Sequence, residues 1–271
     1  MNNLFSLRNK VAIVTGALGL LGKQHCFALA EAGANVVVTD LNGKECEMFA
    51  LKLASETGTQ SIGCGSDITQ RVSIEALRDR VYRQYGTIAI LVNNAAINDA
   101  VENPAAAEQS KFENYPLELW QKSLDVNITG TFLCSQVIGG MMAKQGRGSI
   151  VNIASTYGIV GPDQSLYSKP DGTQSFFKSP AYPTTKGAVI AFTRFLATYW
   201  AKNGVRVNAL SPGGVENGQD KNFIENYSMR TPLGRMAQPT DYKGALIFLA
   251  SDASSYMTGA NLVIDGGWTA W

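Results

Sequence analysis

Short β-branched runs alternate with longer helix-period segments along most of this chain, and that order constrains its fold more than any other feature. Val11–Thr15, Val36–Thr39, Thr59–Gly63, Ile88–Val92, Ser149–Ile153, Val205–Ala209 and Leu262–Ile264 read as strands, with helices expected near 20–32, 43–57, 70–85, 117–144, 181–202 and 239–251. The strand runs are continuously apolar, as they are when helices cover both faces of a parallel sheet. Right-handed crossovers then wind the chain outward in both directions and leave ligands at the carboxyl ends of the strands. No linker, repeat or low-complexity tract interrupts 1–271, so one α/β domain is expected, a doubly wound parallel sheet of about seven strands.

Composition narrows the chemistry. His25 is the one histidine, which excludes a zinc site built on several imidazoles and leaves little room for a serine-histidine-acid hydrolase. Proton transfer near neutral pH must then use a side chain whose pKa has moved far from its usual value. His25 falls in the first helix and is read as a packing or solvated residue. Lys plus Arg is 23 and Asp plus Glu 22, a balance that favours neither nucleic acid nor an anionic membrane as partner. Cys26, Cys46, Cys64 and Cys134 are scattered and read as buried free thiols of a reducing compartment. No membrane span, signal peptide or metal site is read from the chain, and a cytoplasmic protein is expected.

The first strand runs into Thr15-Gly16-Ala17-Leu18-Gly19-Leu20-Leu21-Gly22 and then directly into a helix. Glycines at 16, 19 and 22 allow a tight turn, close backbone approach to a phosphate and close helix–strand packing. The helix start offers free N–H groups and the positive end of its dipole to a pyrophosphate. Asp40 ends the second strand, where a carboxylate can accept both ribose hydroxyls of NAD and repel the extra phosphate of NADP. Together these favour a Rossmann-like fold and NAD over NADP. Asp40 read alone is a strand-end cap, and Asp67 is either an adenine contact or a helix N-cap.

Tyr182 and Lys186 stand four residues apart in a strong helical segment, so both side chains can face one ligand. An ammonium beside a phenol favours phenolate, and bringing tyrosine from about 10 to about 7 takes roughly 4 kcal/mol. The same spacing also describes an ordinary amphipathic face.

With these motifs stand Asn93-Asn94-Ala95-Ala96, Asn127 within Val126–Gly130, Ser155 after Asn152-Ile153-Ala154, Ser211-Pro212-Gly213-Gly214 and Ile264-Asp265-Gly266-Gly267. In this order they resemble the short-chain dehydrogenases/reductases, single-domain NAD(P)-dependent enzymes, from about Lys10 to Gly267. The resemblance implies that Tyr182 is the general acid/base, and that Lys186 lowers its pKa and binds the nicotinamide ribose. It implies that Ser155 bonds the substrate oxygen, and that Asn127 bends its helix and holds a water reaching Lys186. It extends the cofactor site over Gly16, Gly19, Leu20, Leu21, Gly22, Asp40, Leu41, Asp67, Ile68, Asn94, Ala95, Ala96, Pro212, Gly213 and Val215. A secondary alcohol and a ketone would be interconverted by hydride transfer. An epimerase or dehydratase using bound NAD, or a non-catalytic NAD(H)-binding regulator, are the alternatives. Residue by residue, Ser155 also reads as a strand-end cap and Asn127 as a plain helix residue.

The chain departs from that family at three places. Leu20 stands where the family's turn has glycine, and Ala96 where glycine is usual. Ser155 and Tyr182 are 27 residues apart, beyond the usual spacing, which makes about 158–179 an insertion beside the reacting carbon. Its polar and aromatic residues suit a sugar or nucleotide-sugar, with Thr156, Tyr157, Gln164, Phe177 and Asn217 as candidate substrate contacts. An oligomer contact or solvent flap is the other reading of the insertion. By resemblance, about 214–230 is a mobile lid, and the terminal Trp268-Thr269-Ala270-Trp271 packs at the interface of a homotetramer or homodimer.

Overall fold

A computed structural model of the chain describes residues 4–98 and 106–271. Seven strands form one parallel sheet: β1 (Val11–Thr15), β2 (Asn35–Asp40), β3 (Ile62–Gly65), β4 (Ile90–Asn93), β5 (Gly148–Ile153), β6 (Val205–Pro212) and β7 (Asn261–Ile264). Their spatial order is β3-β2-β1-β4-β5-β6-β7, with every adjacent pair parallel. Seven helices carry the crossovers and the flanks: α1 (Leu20–Glu31), α2 (Gly43–Thr57), α3 (Arg71–Tyr85), α4 (Leu117–Gln145), α5 (Ala181–Trp200), α6 (Lys221–Arg230) and α7 (Lys243–Ala250).

Alternate residues of the inner strands feed two separate cores. Ala12, Val14, Val36 and Val38 pack with α1, α2 and α7, while Val11, Ile13 and Val37 pack with α3, α4 and α5. Each such side chain contributes about 1.5–3 kcal/mol by leaving water. The continuous apolar reading of the strands thus has its cause in two covered faces.

β3 begins at Ile62, three residues later than expected, because the hydroxyls before it bond one another. Thr57, Thr59 and Ser61 form a chain of 2.9 Å contacts, and Ser61 accepts from the Val36 N–H, so this stretch is a laced edge. α4 follows its expected span but widens into π turns at Asp125–Gly130 and Ser135–Gly139. Part of α4 is long and apolar enough to cross a membrane by composition, yet half of that stretch is buried in the protein. α5 takes Pro183 in its first turn, where a missing N–H costs nothing.

The sheet's winding reverses between β1 and β4. A crevice opens there at the carboxyl ends of the strands, and everything in the candidate site is built around it.

Candidate functional site

A single cleft of about 1320 Å³ runs from the turn after β1, across the ends of β4, β5 and β6, to α6 and the 158–179 segment. Its dinucleotide half is set by the glycine turn. Gly16 has φ +60°, and a Cβ there would stand 2.6 Å from the Ala95 Cα; a Cβ on Gly22 would stand 2.1 Å from the Gly16 carbonyl. The backbone is therefore pressed into a cradle that side chains would fill. Gly19 caps α1 with no side-chain bond, leaving the helix's first N–H groups for a ligand. Leu20 opens α1 where the family has glycine and still lines the cleft. Asn94 fixes the cradle's shape, donating to the carbonyls of Thr15 and Gly16 at 2.9 Å.

Asp40 ends β2 at the cleft, its carboxylate accepting from Leu18 N–H at 3.0 Å and Leu41 N–H at 2.8 Å. It therefore both holds the glycine turn and faces the ligand space. Asp67 closes a local turn by accepting from the Thr69 N–H and hydroxyl. The N-cap of α3 is Gln70, so the capping role considered for Asp67 falls elsewhere. Leu21, Gly22, Leu41, Ile68, Ala95, Ala96, Pro212, Gly213 and Val215 all line the cleft. A nicotinamide dinucleotide fits this half by the cradle, the uncapped helix start and the Asp40 carboxylate.

At the other half, β5 delivers Ser155 and α5 delivers Tyr182 and Lys186. Ser155 is buried and does cap, accepting from the Tyr157 N–H at 3.2 Å, while its hydroxyl also bonds the Tyr182 phenol. Lys186 is 4% exposed; its Nζ donates to the Ile153 carbonyl at 2.7 Å and lies 5.7 Å from the centre of the Tyr182 ring. Burial lowers the Lys186 ammonium to about 8, so it is still charged at neutral pH. Burial pushes the Tyr182 phenol upward, and the Ser155 hydroxyl pulls it partly back. The chain without a bound cofactor thus leaves the phenol protonated at neutral pH.

Asn127 does not line the cleft. It sits in the first π turn of α4, accepting from the Ile97 N–H at 2.8 Å and donating to the Ile97 carbonyl and the Thr185 hydroxyl at 3.0 Å. It ties the loop after β4 to the helix turn between Tyr182 and Lys186, which places it behind the two.

The 158–179 segment forms the far wall, but through other residues than those expected. Thr156, Tyr157 and Asn217 reach the cleft; Gln164 and Phe177 do not. The Gln164 amide is spent on the chain, accepting from the Lys178 N–H at 2.7 Å and donating to its carbonyl at 3.4 Å, and the Phe177 N–H is bonded to Ser110. Leu166, Tyr167, Phe176 and Lys178 line the wall instead. They are placed by two turns that the sequence spells: Asp163 accepts from Ser165, and Asp171 accepts from Thr173 after Pro170. That Asp-x-Ser/Thr pattern was the available signal.

The wall and the 214–230 segment share an aromatic core. Tyr167 packs on Phe176 at 4.7 Å and Phe223 at 5.4 Å, and Tyr227 stacks on Trp268 at 4.2 Å. Trp268 thus packs within the chain on Tyr227 while staying partly exposed, and Trp271 is 82% exposed. Arg230 pairs with Asp163 and donates to Ser165 at 2.8 Å, and Asn222 donates to the Ser168 carbonyl at 3.0 Å. His25 is fully buried in α1; both ring nitrogens lack a hydrogen-bond partner among the described residues, and burial lowers its pKa to about 4 despite the nearby Asn94. All four cysteines are buried and unpaired with one another.

The family model described as enoyl-(acyl carrier protein) reductase matches residues 16–269. The chain is 35% identical to a D-threitol dehydrogenase of Mycolicibacterium smegmatis over 98% of its length and 95% of that protein's. Among solved structures it is similar to a gluconate 5-dehydrogenase of Burkholderia cenocepacia in complex with NADP and tartrate (TM-score 0.87, 30% identity, 99% of this chain and 98% of that one). It is also similar to an NAD+-bound xylitol dehydrogenase (TM-score 0.83, 30% identity, 96% of this chain and 99% of that one). The chain belongs to the short-chain dehydrogenases/reductases and is an NAD(P)-dependent oxidoreductase of CH–OH groups.

Proposed function

We propose that this enzyme interconverts a secondary alcohol and a ketone on a small polyhydroxylated substrate, with NAD as the hydride carrier and Tyr182 as general acid/base. The observation that carries the reading is the convergence of Ser155, Tyr182 and Lys186 at the inner end of the cleft whose other end is the glycine cradle. Threitol, xylitol and gluconate, the substrates in the relatives' names, are all polyhydroxylated, which supports that class.

A bound nicotinamide ring supplies or accepts the hydride. The chain's own residues do the rest. The Ser155 hydroxyl donates to the substrate oxygen and steadies the charge that develops there. In oxidation the Tyr182 Oη takes the alcohol proton; in reduction it returns that proton to the ketone oxygen. The Lys186 ammonium, steered by the Ile153 carbonyl, favours the phenolate. Asn127 holds the helix turn that carries both through Thr185. The raised phenol suits it as an acid in reduction, so oxidation by this enzyme is expected to quicken toward alkaline pH. Asp40 favours NAD, since a 2′-phosphate would meet its carboxylate.

One assay tests the reading: formation of reduced cofactor from polyols, with NAD+ and with NADP+. Net NADH release, at least about tenfold more efficient than NADPH release, and its loss in Tyr182→Phe with NADH binding retained, are the expected results. Turnover by Tyr182→Phe would overturn the acid/base assignment, and hydride returned internally with no NADH would assign an epimerase or dehydratase.

A further inference from the structure

We propose that the paired phenol hydroxyls of Tyr157 and Tyr167 bind a second hydroxyl of the substrate, on a carbon other than the one that reacts, and so select a polyhydroxy compound over an alcohol that lacks it. This rests on the reading of the substrate as a small polyol and of Tyr182 as the reacting end of the cleft. Both residues line the cleft, and their hydroxyl oxygens are 3.2 Å apart. Tyr157 follows Ser155 by two residues, and its N–H donates to the Ser155 Oγ, so its ring starts from the reacting end. Tyr167 is brought to the same place by the 158–179 segment.

The pair has one proton to spare. Each phenol carries a single O–H donor. Whichever of the two donates to the other, the second O–H remains, since neither side chain makes another hydrogen bond among the described residues. Tyr227, the other phenol at this end besides Tyr182, is already engaged by the Gly214 N–H at 2.6 Å and by the Thr156 side chain. Burial pushes the Tyr167 phenol up to about 12 and the Tyr157 phenol further in the same direction, and Tyr182 adds to both shifts. Both therefore stay neutral donors near neutral pH.

The setting makes that donor selective. Tyr167 is 8% exposed, and Leu166, Phe176 and Met236 of its own apolar cluster line the cleft with it. Its carbonyl accepts from the Ser175 N–H at 2.9 Å, and its ring packs on Phe176 and Phe223, so the hydroxyl is fixed before a ligand arrives. An alcohol with no second hydroxyl would cover this donor without satisfying it, and a buried polar group left unpaired weighs against the wrong substrate.

The test is discrimination between a polyol and its deoxy analogues. NADH formation would be followed with D-threitol, xylitol and gluconate, and the most efficient of them compared with each analogue lacking one of its hydroxyls. The enzymes are the parent, Tyr157→Phe, Tyr167→Phe and the double variant. The parent should prefer the polyol over at least one analogue by about tenfold or more in kcat/KM, and in the double variant that preference should fall to about threefold or less. The single variants tell which hydroxyl meets the substrate. General damage to the wall would lower polyol and analogue together; an unchanged preference in the double variant, or none in the parent, overturns the pair's role. No NADH from any of the three compounds would overturn the polyol reading itself, and turnover by Tyr182→Phe would overturn the acid/base assignment.

Discussion

Lys186 illustrates at the scale of one residue how function and stability oppose each other. Its ammonium is held below the usual lysine value, at about 8, by burial, while it donates to the Ile153 carbonyl. The unfolded chain binds that proton more tightly, so the native state is disfavoured below about pH 8 and recovers stability as pH rises toward the ordinary lysine value of 10.5. At neutral pH the cost is about 3 kcal/mol, from 1.36 kcal/mol per tenfold, before the Ile153 bond offsets part of it. Lys186→Met should therefore raise the thermal midpoint at pH 7, by a margin that shrinks above pH 9, while turnover is lost. Calorimetric scans at pH 7 and pH 10 measure this; a lower midpoint at pH 7 would contradict it. Tyr182 titrates against the same burial, which is why the phenol needs more than its lysine neighbour.

At the scale of elements, the 158–179 segment and α6 behave as two halves of one wall. Their shared aromatic core and the Arg230 bonds to Asp163 and Ser165 mean that neither half is positioned without the other. Both charged partners are partly exposed, so the pair's direct contribution to folding is small, about 0–1 kcal/mol. Its effect should appear in substrate handling. Arg230→Met is expected to raise KM for the true substrate roughly three- to tenfold, about 0.7–1.4 kcal/mol, with the thermal midpoint moved little. Steady-state kinetics and a melting curve separate the two, and an unchanged KM would show that the wall holds without this pair. The sequence disclosed the insertion by its spacing and its turns by Asp-Gln-Ser and Asp-Gly-Thr. It did not disclose that Gln164 and Phe177 turn away while Lys178 turns in, because facing in an irregular segment is decided by partners such as Ser110, distant in the chain.

For the whole molecule, the outer surface of α4 and α5 is the notable feature. Phe132, Phe192, Phe195 and Tyr199 form a ladder of rings 5.8–6.3 Å apart, and Phe195 and Tyr199 are 58% and 65% exposed. Aromatic surface of this extent is costly in water and suits a self-complementary interface. A homodimer or homotetramer formed through this face is the predicted assembly. Light scattering at micromolar concentration should find an oligomer that Phe195→Asp with Tyr199→Asp dissociates. A monomeric parent would refute the assembly, and an oligomer unaffected by the two substitutions would place the interface elsewhere.

The sequence by itself determined the architecture and the candidate reacting groups, because both are written locally. Period, β-branching and the glycine turn set strands, helices and cradle, while the four-residue spacing on one helix joined Tyr182 to Lys186. With one histidine, the chain had few other groups for proton work, and that one, His25, is sealed inside α1. Tertiary structure decided what depends on meetings across the chain: Asn127 tied to Thr185 behind Tyr182 and Lys186, Trp268 stacked on Tyr227, and Lys178 brought over the Tyr182 ring. Those contacts follow from packing between segments far apart in sequence, and no local pattern encodes which side chain wins the space.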